Sequence, residues 1–396
     1  MIMPSARIQQ EMYSSEAGVW FIPTTDGASV LIKAPISSLK ALSVGCSFEV
    51  GIGVLENKVC VAGIIHDAPD TPLIVSRPQA HAEEHQALIE VLSRGDVNFF
   101  LFNEMDHCVG WSPGSLAPDD SEQASEHLQP ITRLYTGSVL EFGESLLDIF
   151  NDAMHDNSTV AKNPELAAVK IPVKLVDWHP NFLSYVGMGT YQTVQVDHPD
   201  EGGMLENSVW AALSSVYPAQ LYKSPAVENG EKTRELTDVL ALSSQGNILI
   251  ETKDLAMLAS KGSRAHARRV SGVKKQALKG VTQLVGAAKA LRRNCKISSS
   301  EGKVLNVDLS DKLHCVAIVS ELFAENWDEV YEAAVAAMRE TGDLFHVIDY
   351  RELVAVLKIA RGRDGTLQMV LTKRLEHVLR QQTLNVRSRQ APDSSA

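Results

Sequence analysis

Beyond "HPDEGG", residues 198–203, the apolar residues switch repeatedly between a helical and a strand period. That alternation restricts this half of the chain to a mixed α/β core. "MLENSVWAALSSVY" sets Leu205, Val209, Leu213 and Val216 on one helical stripe. "AQLYKS" reads as a short strand, and "ELTDVLAL" and "NILIETK" as two strands around the turn "SSQG". A long helix follows in "VSGVKKQALKGVTQLVGAAKALRR", apolar at Val273, Ala277, Val281, Leu284, Ala288 and Leu291. "HCVAIVSEL", "NWDEVYEAAVAAMRET", "LFHVIDY" and "RELVAVLKIA" then alternate strand, helix, strand, helix.

The first part of the chain has a different rhythm. Residues 16–76 carry the short β-like runs "GVWFIP", "SVLIKAP", "SFEVGIGVLENKVCVAGII" and "PLIVSR", the third turning near Glu56-Asn57-Lys58. A helix in "AEEHQALIEVLSR" and strands in "VNFFLFNE" and "HCVGWS" come next. Residues 113–127 are polar and read as a loop, and "TGSVLEFGESLLDIFNDAMHD" has helical spacing. This pattern predicts an α+β domain over 1–160, a β-rich connector over 161–200, an α/β domain over 201–384 and a disordered tail over 385–396.

The chemistry concentrates at Glu251-Thr252-Lys253. Alternate residues of a strand share a face, so Glu251 and Lys253 are neighbours there. A two-residue turn at Gln245-Gly246 sets Asp238 across from Lys253 and diagonal to Glu251, whereas a one-residue shift moves Asp238 to the other face. Two carboxylates held close repel unless a cation sits between them, and hard oxygen ligands suit Mg²⁺ or Mn²⁺. Glu-x-Lys occurs three times in the chain, but only this copy closes an apolar strand and precedes a basic helix.

Helix, strand, hairpin ending in acid-x-Lys, helix and strand is the order in which this region resembles the PD-(D/E)xK nucleases, whose core is restriction-endonuclease-like. The resemblance spans about residues 201–360 and rests on Asp238 in "RELTDVLAL" and on Glu251-Thr252-Lys253; Thr237 stands where the family has proline. It implies metal-dependent hydrolysis of DNA phosphodiesters, with Asp238, Glu251 and the Thr252 carbonyl holding Mg²⁺ or Mn²⁺ and Lys253 orienting the attacking water. Glu206 is implied as an extra acid for a second ion or its water shell. It also implies a setting in prokaryotic restriction or defence. Residues 1–160 would serve recognition, regulation or assembly, with a second copy or another protein as partner.

Charge distribution agrees with a polyanionic partner. The 396-residue chain has a net charge of −12, yet 255–300 contains no acid and eleven Lys or Arg. Lys261, Arg264, Arg268, Arg269, Lys274, Lys275, Gln276 and Lys279 are the candidate contacts to nucleic acid. Five scattered cysteines without Cys-x-x-Cys, and a start without an apolar signal segment, point to a reducing cytoplasmic setting. No run is long enough to span a membrane.

Two other readings compete. A nuclease fold that has lost catalysis would bind nucleic acid or act as a scaffold, although all of Asp238, Glu251 and Lys253 are present. "HAEEH" resembles the inverzincin metalloprotease motif, which implies a zinc peptidase with His81 and His85 as ligands and Glu84 as base. No nucleotide-binding phosphate loop or dinucleotide fingerprint is present.

Overall fold

A computed structural model describes residues 4–68, 70–131, 134–135, 144–156, 162–187, 190–229, 232–254, 258, 265–293 and 295–389. The chain divides into two compact units. One comprises Met1–Phe182, Gln195–Asp197 and Met257–His266; the other comprises Leu183–Val194, His198–Ala256 and Ala267–Ala396.

In the first unit, helix α1 (Ala6–Ser14) precedes β1 (Gly18–Thr24) and β2 (Gly27–Lys33), and α2 (Ile36–Ser43) precedes the hairpin β3 (Phe48–Leu55) and β4 (Lys58–Ile65). Then come β5 (Leu73–Gln79), α3 (Ala82–Arg94), β6 (Asp96–Phe102), β7 (Cys108–Leu116), α4 (Pro118–Leu128), α5 (Glu144–His155), β8 (Ala167–Leu175) and β9 (His179–Pro180). They form one nine-stranded sheet in the order β1-β2-β6-β7-β8-β3-β4-β5, with β9 paired to β7. Strand alternation buries Val19, Phe21, Phe99 and Leu101, while α5 packs Phe150 and Met154 on β3. The approach is so close that a β-carbon on Gly53 would lie 2.4 Å from the Phe150 ring.

Three expectations change in or beside this unit. Residues 118–128 are a helix, not a loop: Pro118 opens it, Asp119 and Asp120 complement its N-terminal dipole, and Ser121, Ala124 and Leu128 are its buried row. Residues 161–200 are not a separate connector, because β8 is an interior strand of the first sheet and 183–194 belongs to the second unit. The helix expected over 136–156 is described over Glu144–His155; 136–143 lie outside the described residues.

The second unit opens with the hairpin β10 (Leu183–Gly187) and β11 (Thr190–Val194), then α6 (Glu201–Ser214) and β12 (Leu221–Lys223). A ribbon, β13 (Ala226–Asn229) and β14 (Lys232–Glu235), leads to β15 (Val239–Ala241) and β16 (Ile248–Lys253). After α7 (His266–Arg292) come β17 (Ile297–Ser298), β18 (Val304–Leu305), β19 (His314–Val319), α8 (Asp328–Thr341), β20 (Leu344–Asp349), α9 (Tyr350–Ala360) and α10 (Asp364–Gln381).

The main sheet runs β12-β15-β16-β19-β20, antiparallel through β16 and parallel from there. The apolar row of α7 packs on Leu240, Leu249, Ala317 and Val347, so the three- and four-residue spacing read in the sequence is the core face. The expected strand "ELTDVLAL" is split: Lys232–Glu235 pairs with β13 in the smaller sheet, and Asp238 lies in a bend just before β15.

The expected disorder of 385–396 also fails for its described part, 385–389. Arg387 grips the Asp349 carboxylate with both guanidinium nitrogens, at 2.5 and 2.7 Å, and Ser388 donates to Glu352. Asp349 is buried and already accepts from the Leu322 and Glu352 amides. Burial alone would raise its pKa, but Arg387 outweighs burial and holds it below the ordinary aspartate value. The pair therefore stabilises the fold at neutral pH, and that stability is lost as pH falls through the lowered pKa. Arg387→Ala should cost about 3 kcal/mol at pH 7 in urea unfolding, with the deficit shrinking toward pH 3.

Candidate active site

The site begins with a strand that must end in charge. Ile248, Leu249 and Ile250 bury β16 in the middle of the sheet, and Glu251-Thr252-Lys253 close it. The pairing of β15 with β16 places Val239 opposite Ile250, so continuing the ladder sets Asp238 opposite Glu251. That is two residues from the expected pairing with Lys253. The reason is the turn, which is wider than Gln245-Gly246: the Asn247 side chain accepts from the Ser243 amide at 3.2 Å, and Gly246 takes φ +123°. A shift of two keeps the face, so the acids still converge.

Hydrogen bonds fix the rest. Thr237, where the family's proline would stand, donates its hydroxyl to the Ile250 carbonyl at 2.5 Å. Asp238 Oδ2 accepts from the Thr252 amide at 2.6 Å and the Thr252 hydroxyl at 2.9 Å. Lys253 Nζ donates to Glu251 Oε2 at 2.7 Å and to the Thr252 carbonyl at 3.0 Å, and lies 3.7 Å from Asp238 Oδ2. The helix above must be thin at this point: a β-carbon on Gly280 of α7 would lie 3.5 Å from Lys253 Cγ and 3.9 Å from Glu251 Cβ.

Glu251 is 3% exposed. Burial and then the Asp238 carboxylate push its pKa up to about 7, against the opposing pull of Lys253. Glu206, on α6, is also raised, first by burial and then by Asp238. Its neighbour is Lys223, whose Nζ lies 3.8 Å from Glu206 Oε2 and donates to Asn207 Oδ1. Glu206 thus feels the same field without joining the contact made by Asp238, Glu251 and Lys253.

The donor set fits a hard divalent cation. Glu251 Oε2, the Thr252 carbonyl and Asp238 Oδ2 converge on one point, marked by the Lys253 ammonium. All three are oxygen donors, and Glu251, its pKa raised first by burial and then by Asp238, would ionise more readily beside a cation. Sequence reading missed Lys223 and Asn207, because only tertiary packing brings β12 and α6 to this point.

The basic segment is thinner than its composition suggests. Lys261 and Arg264 lie outside the described residues. Arg269 is 3% exposed, 3.2 Å from Glu321 and over the Phe323 ring, so it serves the interior rather than a phosphate. Lys289, Arg292 and Lys296 pair with Glu340, Asp343 and Glu228. Lys274 is half-buried with its ammonium 5.7 Å from the Trp327 ring centre, and Gln276 is half-buried. Arg268, Lys275 and Lys279 are exposed within about 40° of one another around α7, opposite its buried row, and Arg293 continues the line.

The peptidase reading of "HAEEH" does not assemble. His81 is the extended N-cap residue of α3 with its ring 3.3 Å from Glu11, and His85 lies 3.3 Å from Gln79 Oε1, so the two rings are engaged by different partners. Among the described residues, the one group of three acid, thiol or imidazole ligands within 4.8 Å of one another is Glu11, His81 and Glu84. Arg77 bridges Glu11 and Glu84 at 2.6 Å each, and Arg7 lies 2.7 Å from Glu84. These guanidinium groups supply the positive charge that a zinc ion would supply.

The chain matches no known family model, no curated protein and no solved structure. Among the described residues no helix is long and apolar enough to cross a membrane.

The raised Glu251 pKa gives a signed prediction. A carboxyl that binds its proton more tightly when folded loses stability as pH rises from its unfolded value toward 7. In the metal-free protein, Glu251→Gln should therefore be more stable than wild type by about 2–3 kcal/mol at pH 8, with the advantage vanishing below pH 4.5. Urea unfolding at the two pH values, in chelator, measures it.

Proposed function

We propose that this chain is a metal-dependent nuclease that hydrolyses phosphodiester bonds in DNA, with a restriction-endonuclease-like core in its second unit. The observation that carries the reading is the convergence of Asp238, Glu251 and Lys253 at the end of a central strand. The order α6-β12-β15-β16-α7-β19, with three antiparallel strands and then a parallel one, supports it, because that is the order implied by the PD-(D/E)xK resemblance. On this reading the first unit is the part that recognises, regulates or assembles.

Asp238, Glu251 and the Thr252 carbonyl would hold a Mg²⁺ or Mn²⁺ ion, which would supply Lewis acidity toward the phosphate and an attacking water. The protein does the rest. Thr252 holds Asp238 through its amide and hydroxyl, so one carboxylate is fixed before substrate arrives. Lys253 directs its ammonium at the attacking oxygen and offsets charge building on the phosphoryl oxygens. Burial of Glu251 and Asp238 excludes water that would weaken these interactions. Arg268, Lys275 and Lys279 run along the exposed face of α7 and track the sugar-phosphate backbone.

Supercoiled plasmid, linear duplex, single-stranded DNA and RNA, each with Mg²⁺, Mn²⁺ or chelator, test the reading. DNA should be cut only with metal, and Lys253→Ala should cut at least about 10²-fold more slowly while still binding. Salt-sensitive binding without cutting would replace the nuclease by a binding protein on the same fold. Neither binding nor cutting would overturn the nucleic-acid reading altogether. Lys275→Ala and Lys279→Ala should each lower the salt slope of DNA binding by about one, and an unchanged slope would remove the α7 line from the interface.

A further inference from the structure

We propose that Lys223 is a second catalytic cation of this site, facing the leaving oxygen from the side opposite Lys253. The inference rests on the nuclease reading. It starts from strand alternation. Glu251 and Lys253 point to the face covered by α7, where Gly280 meets them. Lys223 pairs with Val239, and Val239 with Ile250, so its side chain belongs to the alternate face. There it meets α6, donating to Asn207 Oδ1 and lying 3.8 Å from Glu206. Asp238 sits in the bend before β15, with its carbonyl accepting from the Ser224 amide and its carboxylate turned to Thr252. Lys253 therefore meets Glu251 and Asp238 from the α7 face, and Lys223 meets Glu206 on the α6 face of the same sheet end.

The two lysines are held differently. Lys253 closes on a carboxylate at 2.7 Å. Lys223 spends its short hydrogen bond on a neutral amide, leaving the Glu206 carboxylate 3.8 Å away. A lysine present only to neutralise Glu206 would close that gap. Asn207 is buried and rigidly placed, since its amide nitrogen donates to the Thr193 carbonyl at 2.8 Å, so it aims the ammonium. The Lys223 side chain is 25% exposed.

Phosphodiester hydrolysis gives such a cation a task. The water oxygen bonds to phosphorus as the bond to the leaving oxygen breaks, and the two lie in line across phosphorus. The electron pair of the broken bond stays on the leaving oxygen, which takes a proton from solvent, and the attacking water gives one to solvent. The products are an alcohol and a phosphomonoester. With Lys253 at the attacking side, Lys223 lies toward the departing oxygen and donates a hydrogen bond to it while keeping its own proton.

The full chain with Lys223→Gln and Lys223→Arg, both checked for wild-type melting, would be assayed in single turnover on two oligonucleotides. One carries the natural leaving oxygen and the other has sulfur there, which departs with little help. Lys223→Gln should lose about 10²-fold on oxygen with unchanged binding, and under about threefold on sulfur, while Lys223→Arg recovers most of the rate. Equal losses on both substrates, or no loss, overturn the proposal and leave Lys223 as a support for Glu206. If wild type cuts neither oligonucleotide nor any other DNA, the nuclease reading itself fails, which is a separate result.

Discussion

Negative charge drawn toward the buried end of a strand needs a compensating cation, and that requirement organises the second unit. Asp238, in the bend before β15, and Glu251, at the end of β16, both lie beside the Lys253 ammonium, and Glu206 lies close enough to feel Asp238. Lys253 reaches the Glu251 carboxylate and the Thr252 carbonyl with one ammonium, while the Thr252 amide and hydroxyl anchor Asp238. The compensation is incomplete: burial and then the Asp238 carboxylate push the Glu251 pKa up to about 7 against the pull of Lys253. On the proposed reading, a divalent cation would complete that compensation.

Elsewhere the same constraint is satisfied within the protein. Asp349 and Glu352, buried at the start of α9, are met by Arg387 and Arg374. In the first unit Glu11 and Glu84 are met by Arg7 and Arg77. Guanidinium groups with several donors close those clusters as structural ion pairs. The acids at β16 are served instead by the Lys253 ammonium, which has fewer directed donors than a guanidinium.

How much of this was legible in the sequence follows from the range of each interaction. Glu251 and Lys253 were legible because two-residue spacing alone puts them on one face. The rows of α6 and α7 were legible because their period repeats through about three turns in one and about five in the other. Asp238 was legible as an acid near the site, but its ladder position depended on a turn whose width is set by Asn247 and Gly246. Arg269 looked like a surface charge because composition does not record that Glu321 and Phe323 fold over it. Helix α4 was hidden by polar residues, its buried row being only Ser121, Ala124 and Leu128. The segment around Arg387 looked featureless because its order comes from a carboxylate thirty-eight positions earlier. Lys223 had no local signal at all, since its meaning comes from α6.

The central claim is that Asp238 and Glu251 form a divalent-metal site. Calorimetric titration of Mn²⁺ into the full chain at pH 7.5, beside Asp238→Asn, tests it without reference to any substrate. The account predicts saturable binding by wild type that is lost or weakened at least about tenfold in Asp238→Asn, since removing a charged ligand should cost more than 1.4 kcal/mol. Equal binding by both proteins, or binding that instead disappears in Glu11→Gln, would contradict it.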